Sequence, residues 1–190
     1  MARVLSGPIH VAYSQAYVVI GETLPPTPRD AFSGQTNGLC GAAVKGALFL
    51  VTGLHTGQVG FTVDVLDAAP QIDKDWEEVV EASFTVPSED EELEQDDIEI
   101  IYRDVSLVEW SGNRRYPLPI SPGNYRVRYC ALGMDPGRRR DTLLSGEDLI
   151  DFYSLAFWPA EPEPDRIIRQ TSEIAASWHK AFPSYEGGKE

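Results

Sequence analysis

Short segments in which apolar and polar residues alternate, separated by glycine and proline, most constrain how this chain can fold. In residues 58–66, Val59, Phe61, Val63 and Val65 fall on one face, while polar residues and a glycine fall on the other. Successive side chains of a strand point to opposite faces of its sheet, so this pattern predicts a β-strand with one buried face.

Similar patterns recur along most of the chain and predict further strands. They cover residues 9–20, 47–52, 79–86, 98–109, 116–120, 125–132 and 149–158. Residues 53–57 begin and end with glycine and predict a hairpin connection, because glycine readily adopts the positive φ angles of tight turns. The prolines of 116–120 predict an edge strand, since proline donates no backbone hydrogen bond.

The predicted strands have almost no helical pattern between them. We therefore expect an all-β fold, an antiparallel β-sandwich of about eight strands with one C-terminal α-helix. Asp165 can cap this helix, which should run to about Phe182 with its inner face at Ile167, Ile168, Thr171, Ile174, Ala175 and Trp178. The predicted organisation is a β-sandwich domain over 1–160 with an acidic insertion at 88–97. A C-terminal helix and tail over 161–190 pack on this domain or extend from it.

The net charge of −14 comes from one part of the chain. Residues 64–109 contain 17 carboxylates and 2 basic residues, whereas the rest contains 14 basic and 13 acidic residues. A surface this negative repels phosphate backbones and anionic lipid headgroups, so we expect no direct binding of nucleic acid or membranes. The charge suits either a protein kept soluble by its carboxylates or one whose partner is basic.

The most acidic segment has three interpretations. Residues 88–99 hold eight carboxylates and no lysine or arginine, so the segment repels itself and should stay extended and solvated. It could serve solubility alone, supply oxygen ligands to Ca²⁺, or imitate a nucleic-acid backbone toward a basic protein. The spacing matches no EF-hand loop. In the third interpretation the partner-binding residues are Glu89, Asp90, Glu91, Glu92, Glu94, Asp96 and Asp97.

A second acidic group surrounds a tryptophan. Trp76 is surrounded in the sequence by Asp73, Asp75, Glu77, Glu78 and Glu81, and an aromatic ring among carboxylates is typical of a contact with a basic partner. The same pattern also fits a tryptophan that covers the core while the charges line its exposed rim. We take Asp73, Asp75, Trp76 and Glu77 as a second candidate contact.

No constellation of catalytic or metal-binding residues is recognisable. Cys40 and Cys130 lie far apart and are predicted to be buried, reduced thiols. His10, His55 and His179 are not spaced as metal ligands, and neither cysteine belongs to a CxxC pair. We therefore expect no cofactor, no metal and no enzymatic activity.

No export or membrane signal is recognisable either. Residues 1–8 carry a single basic residue and no apolar run, unlike a secretory signal peptide. No segment approaches the roughly 18 unbroken apolar residues of a membrane-spanning helix. We therefore expect a cytoplasmic protein.

Several local stretches resemble those of the competence protein J family. They are residues 11–18, 41–49, 57–65, 83–86 and 118–127, and the resemblance extends over about residues 9–158. It implies a β-sandwich that acts by binding another protein, because the founding member of the family inhibits a DNA-entry nuclease. The C-terminal helix and the acidic insertion look like additions to the family pattern. The matching stretches are mostly core and turn residues, so no binding residue is carried over from the family.

Together these observations predict an acidic bacterial β-sandwich that contacts a basic enzyme, as a nuclease-inhibitor-like immunity or regulatory protein. The alternative is a ligand- or Ca²⁺-binding β-sandwich module without catalytic activity of its own. The oligomeric state and the role of the C-terminal helix stay open at this point.

Overall fold

The computed structural model describes residues 2–88, 104–110 and 114–182, and these residues form a mostly β structure. The strands are β1 (Ala2–Val11), β2 (Gln15–Ile20), β3 (Cys40–Gly41), β4 (Leu48–Val51), β5 (Gly57–Val65), β6 (Glu78–Val86), β7 (Val105–Glu109), β8 (Arg115–Pro117), β9 (Gly123–Leu132), β10 (Phe152–Pro159) and β11 (Arg166–Arg169). The helices are α1 (Pro28–Ala31), α2 (Met134–Arg140) and α3 (Glu173–Ala181). Over the described residues, none of the helices is long and apolar enough to cross a membrane.

The strands form two sheets. One has six strands in the order β1-β5-β10-β9-β6-β11, and the other has five in the order β3-β4-β2-β7-β8. β5 and β10 run parallel, whereas the other neighbouring pairs of described strands are antiparallel. The expectation of about eight purely antiparallel strands was therefore wrong in number and at this one pair.

The alternation in the sequence sets which faces of the strands are buried. Val59 and Val63 on β5 and Val127 and Tyr129 on β9 have no exposed surface. Buried residues of both sheets belong to one hydrophobic core. The strand predictions at 58–66 and 125–132 are confirmed. Strands with one face in the core require apolar side chains at every second position, and this alternation can be read directly from the sequence.

The predicted strand over 9–20 is two strands that belong to different sheets. The chain turns at Tyr13 and Ser14, whose φ angles of 55° and 58° are left-handed. This conformation is unfavourable for residues other than glycine. Tertiary hydrogen bonds stabilise it, because the Ser14 amide donates to the His55 carbonyl at 2.9 Å and the Ser14 carbonyl accepts from the Thr52 amide at 3.0 Å. Nothing in the local sequence marks this corner.

Residues 53–57 do not form the predicted hairpin, since β4 and β5 lie in different sheets. The Gly53 amide donates to the Tyr153 hydroxyl at 2.7 Å. The Leu54 amide donates to the buried carboxylate of Asp151 at 2.9 Å. A Cβ on Gly53 would lie 2.2 Å from the carbonyl oxygen of Met134, so glycine is needed here for a close approach to α2.

The C-terminal helix exists but begins later than predicted. Ser172 caps it by accepting a hydrogen bond from the Ala175 amide, and the preceding β11 pairs with β6 at the edge of the six-stranded sheet. Ile167 and Ile168 therefore lie on a strand. Asp165 caps no helix, and its carboxylate accepts hydrogen bonds from the backbone and side chains of residues 36–37. Residues 166–169 form a strand, despite their helical spacing of apolar residues, because they pair with β6. A local sequence pattern does not reveal pairing with a strand far away in the chain.

The remaining differences are local. The short helices α1 and α2 were not predicted. β7, Val105–Glu109, is the described part of the strand predicted over 98–109, and residues 98–103 of that prediction lie outside the described residues. β8 forms the edge of the five-stranded sheet, as the prolines of 116–120 predict, but it ends at Pro117, so residues 118–120 lie outside the strand. Cys40 and Cys130 are buried free thiols, as predicted.

A buried charge cluster lies on the outer face of the six-stranded sheet, the face that points away from the shared core. Glu81 on β6 is 1% exposed, and its strand partners in register are Arg128 on β9 and Arg166 on β11. Both guanidiniums contact its carboxylate, at 2.7 Å and 2.5 Å, and Arg126 approaches to 3.4 Å. Burial alone would raise the pKa of Glu81, but the bonds from Arg166 and Arg128 hold it below its ordinary value.

Replacing Glu81 should destabilise the protein strongly. Glu81→Gln leaves the buried guanidiniums of Arg126 and Arg128 without a countercharge, so we expect the free energy of unfolding to fall by about 3 to 5 kcal/mol. Urea denaturation at neutral pH measures this change.

Glu163 provides the matched control. It lies 3.9 Å from Arg166 but is 58% exposed, so Glu163→Gln should change the free energy of unfolding by less than about 0.5 kcal/mol. Equal effects of the two substitutions would contradict a structural role for the buried cluster.

The C-terminal helix is fastened by a histidine and an aromatic stack. His179 Nδ1 accepts a hydrogen bond from the Gly38 amide at 2.8 Å. Phe182 stacks between Trp178 and Phe32, with ring centroids 5.1 and 4.3 Å away. Burial lowers the pKa of His179, and the charge of Asp165 opposes this only in part.

This lowered pKa predicts a loss of stability in mild acid. The unfolded chain binds the His179 proton near pH 6.5 and the folded protein binds it only at lower pH, so the stabilisation is complete above 6.5 and is lost as the pH falls. We expect His179→Asn, which keeps an acceptor near Gly38, to lose less unfolding free energy than the wild type between about pH 7.5 and about pH 5.5. Urea denaturation across this range measures the difference.

The exposed His10 gives the control, and His10→Asn should behave like the wild type. Burial raises the pKa values of Glu78 and Asp151, so these groups favour folding as the pH falls. Their contribution is the same in all three proteins and cancels in the comparison. Identical pH profiles for wild type and His179→Asn would refute the assignment.

Candidate partner-binding surface

The segment between β5 and β6 crosses the outer face of the six-stranded sheet and borders two adjoining pockets. The larger has a volume of about 490 Å³ and the smaller about 160 Å³. Asp73, Trp76 and Ser154 line both pockets, Ile72 lines the smaller and Phe152 the larger. We call these five residues the Trp76 surface.

The Trp76 surface combines exposed apolar groups with carboxylates. Phe152 is 40% exposed and Ile72 is 36% exposed, although both are large apolar side chains. Trp76 is half-buried, and Asp73 and the neighbouring Asp75 are exposed. Aromatic rings beside unburied charge are characteristic of protein-binding surfaces, where they supply contact area and selectivity.

Two arginines from the sheet hold this segment in place. Arg169 Nη1 donates to the carbonyls of Asp73, Lys74 and Trp76, at 3.1, 3.1 and 2.6 Å. Arg128 Nη1 donates to the Pro70 carbonyl at 2.5 Å. A surface held in one conformation before binding loses little conformational entropy when a partner docks. The Trp76 surface is thus preorganised.

The carboxylates near Trp76 differ in what they can offer a partner. Asp64 is paired with Arg3 at 3.0 Å. Within the described part of the chain, Asp73 and Asp75 form no salt bridge, although Asp73 Oδ1 accepts a hydrogen bond from the Asp75 amide at 3.0 Å. Glu77 has a different role, because its carboxylate accepts a hydrogen bond from the Gly133 amide at 2.9 Å and so fixes the corner between β9 and α2.

The two predicted contact groups adjoin opposite ends of β6 in the chain. Trp76 precedes the start of β6 at Glu78, whereas the chain leaves the described residues at Ser88, beyond the other end of β6. Glu78 and Val86 are eight residue steps apart along the strand, which corresponds to about 27 Å. Seven of the predicted contact residues lie outside the described residues, namely Glu89, Asp90, Glu91, Glu92, Glu94, Asp96 and Asp97.

Sequence reasoning missed the arginines that support this surface. Arg128 also lies over the Trp158 ring, 5.3 Å from its centroid, and is buried. The alternation in 125–132 places Arg126 and Arg128 on one face of a strand, and that was the available signal. Their carboxylate partner, Glu81, lies 47 residues from Arg128 and could be identified only from the strand pairing.

The described residues offer little to nucleophilic or metal chemistry. Burial is the main cause that raises the pKa of Cys40 and of Cys130 to about 12, so both remain thiols at neutral pH. Among the described residues, no three histidine, cysteine or carboxylate side chains are grouped to hold a metal ion.

Comparison with solved structures identifies two chains of similar fold. The crystal structure of ComJ, an inhibitor of the DNA-degrading activity of NucA from Bacillus subtilis, aligns with a TM-score of 0.52 and 13% identity, over 84% of this chain and 98% of ComJ. The crocagin biosynthetic gene J product aligns with a TM-score of 0.48 and 14% identity, over 85% of this chain and 100% of its own. No protein-family model matches the sequence, and comparison with curated protein sequences gives no significant match.

The likeness to ComJ confirms, at the level of fold, the resemblance that the sequence suggested. At 13% identity it carries no binding residue from one protein to the other. The candidate surface therefore depends on the geometry of this chain alone.

Removing the Arg169 side chain should loosen the Trp76 surface. Arg169→Ala deletes all three hydrogen bonds to the carbonyls of 73–76, so we expect amide hydrogen exchange at Asp75 and Glu77 to accelerate by about tenfold or more. Hydrogen exchange of the native protein, followed by mass spectrometry or NMR, measures this rate.

Arg139→Ala is the control, because Arg139 is an exposed arginine on α2 that bonds to none of the described side chains or carbonyls. It should leave the exchange rates at Asp75 and Glu77 unchanged. If Arg169→Ala behaves in the same way, the arginine does not hold the segment.

Proposed function

We propose that this protein binds a basic nuclease-type enzyme and inhibits it by direct contact, as a bacterial immunity or regulatory protein in the cytoplasm. The observation that carries the proposal is the Trp76 surface, where a fixed tryptophan lies beside two pockets and two carboxylates without a salt-bridge partner among the described residues. The ComJ structure adds support, because a protein of similar fold inhibits a nuclease. Such an activity requires no catalytic group in this chain.

The chemistry of the surface suits a lysine or arginine of the partner. A cation that enters the pocket between Asp73 and the Trp76 ring gains an ion pair and a cation–π contact together. Phe152 and Ile72 extend the apolar area around this point and exclude water from it. Nucleases bind phosphate backbones with lysine and arginine, so their substrate groove offers such cations.

The acidic insertion would act differently from the Trp76 surface in this proposal. Its carboxylates raise the local negative potential, which attracts a basic partner over a distance and speeds association. A standard interface buries about 800 Å² on each partner and is about 30 Å across. One partner can therefore contact the Trp76 surface and still reach Ser88, where the chain enters the insertion.

The fold itself fits a rigid binding module. Two sheets that share one core support the β-sandwich arrangement, in which the outer face of each sheet is available to partners. The covering segment of the six-stranded sheet then presents the binding residues.

Substitutions at the two sites should change different rate constants. Trp76→Ala removes the central ring, so we expect the dissociation constant for a basic nuclease of the same organism to rise about 30-fold, mainly through faster dissociation. Replacing Glu91, Glu92, Glu94 and Asp96 together by lysine should slow association and flatten its dependence on salt. Surface plasmon resonance at several salt concentrations, combined with a DNA-cleavage assay, measures both effects.

Charge-matched variants separate a local contact from a general charge effect. Asp73→Lys should weaken binding at least about tenfold, while Glu161→Lys, at an exposed residue between β10 and β11, should weaken it less than about threefold. Equal weakening by both would mean that only the total charge matters. Failure of the wild-type protein to bind or inhibit any nuclease of its host would refute the proposed function.

A further inference from the structure

A third pocket lies on the five-stranded sheet and plays no part in the proposed nuclease contact. Its volume is about 650 Å³, within the range of sites that hold small organic molecules. On β2, Gln15, Tyr17 and Val19 line this pocket. Tyr17 and Val19 are only 7% and 1% exposed and belong to the same core as the alternate residues Ala16 and Val18, which have no exposed surface.

The floor of the pocket is a single cross-strand row. Phe49 on β4 pairs in register with Tyr17 on β2, Tyr17 with Val108 on β7, and Val108 with Arg115 on β8. All four residues line the pocket. Three interstrand spacings make the row about 14 Å long. The floor is therefore an apolar and aromatic track that ends in one guanidinium at the edge of the sheet.

The wall of the pocket is formed by residues 22–28, which follow β2. Three of these seven residues are prolines, whose fixed φ angle and missing amide hydrogen make the wall stiff and poor in hydrogen-bond donors. Trp110 closes the pocket near the start of β2, opposite Gln15. A stiff wall over an aromatic floor keeps the pocket open without a ligand.

Few polar groups converge on this pocket. The Tyr17 hydroxyl donates to Gln15 Oε1, so these two groups satisfy one another at one end. At the other end Arg115 Nη2 donates to the Gly21 carbonyl, which fixes the guanidinium beside the pocket. Arginine has five N–H donors, and within the described residues Arg115 forms no salt bridge. The exposed carboxylate of Glu22 also lines the pocket and opposes an anion there.

We propose that this pocket binds a small, elongated aromatic anion. Its rings lie along Phe49, Tyr17 and Val108, and its anionic group accepts hydrogen bonds from Arg115. Edge-to-face and stacked contacts with the aromatic floor favour planar rings over a branched aliphatic body. The guanidinium at one end of the track selects a carboxylate or sulfonate over a neutral group. This site lies on the opposite sheet from the Trp76 surface, so it is independent of the proposed nuclease contact.

Two fluorescent probes that differ in one group test the proposal. Anilinonaphthalene sulfonate is an aromatic anion, and phenylnaphthylamine has the same rings without the sulfonate. We expect the wild-type protein to bind both. Arg115→Leu should weaken the sulfonate at least about fivefold while the neutral probe changes less than about twofold. Glu22→Gln should strengthen the sulfonate about twofold, because it removes the opposing charge.

Arg3→Leu locates the binding, because Arg3 lines the pocket of about 490 Å³ on the six-stranded sheet. It should leave both probes unchanged. The thermal unfolding of each variant shows whether it is folded. If Arg115→Leu does not fold, the effect of Glu22→Gln on sulfonate binding still tests the proposal. The proposal is overturned if the wild type binds no sulfonate, if Glu22→Gln fails to strengthen it, or if Arg3→Leu weakens it more than Arg115→Leu.

Discussion

The carboxylate of Glu81, buried among arginines, is the interaction on which the outer half of the six-stranded sheet depends. A lone buried carboxylate or guanidinium would be very unfavourable, so Glu81, Arg126 and Arg128 must occur together. Arg128 lies in register with Glu81 on the neighbouring strand, and Arg126 lies two residues away on the same strand as Arg128. The remaining guanidinium donors need acceptors. They find backbone carbonyls at Pro70 and Glu163, in the two segments that cover this face. The arginines that neutralise Glu81 therefore also hold the two segments that cover this face of the sheet.

The two sheets are covered by different means, and each cover leaves a pocket. On the six-stranded sheet arginine side chains hold the covering segment through its carbonyls, and this segment presents Asp73 and Trp76. On the five-stranded sheet a stiff, proline-rich segment stands over a floor of Phe49, Tyr17 and Val108. The first surface is charged and exposed and suits a protein. The second is concave and aromatic and suits a small molecule.

Sequence reasoning succeeded where one strand decides the pattern by itself. The alternation at 58–66 and 125–132 and the prolines at 116–120 report the faces and the edge of a sheet directly, so those strands were predictable. Sequence reasoning failed where contacts between residues far apart in the chain determine the local backbone conformation or the strand pairing. The corner at Tyr13 and Ser14 and the pairing of β11 with β6 depend on contacts far away in the chain. For the same reason Trp76 and Asp73 were identified as a candidate site, while the arginines that hold them were not.

The amino-acid sequence by itself determined the β content, the inner faces of the strands, the two buried thiols and the concentration of negative charge in residues 64–109. These are properties of local pattern and composition. Only the tertiary structure decided that Glu77 bonds to the corner between β9 and α2 while Asp73 forms no salt bridge among the described residues, and that Phe152 joins Trp76 at one surface. It also decided that the length of β6 lies between Trp76 and Ser88, the last described residue before the predicted contact residues of the acidic insertion. The physical reason is that strand pairing joins residues far apart in sequence, and a charge or ring gains its role from the neighbours this pairing supplies.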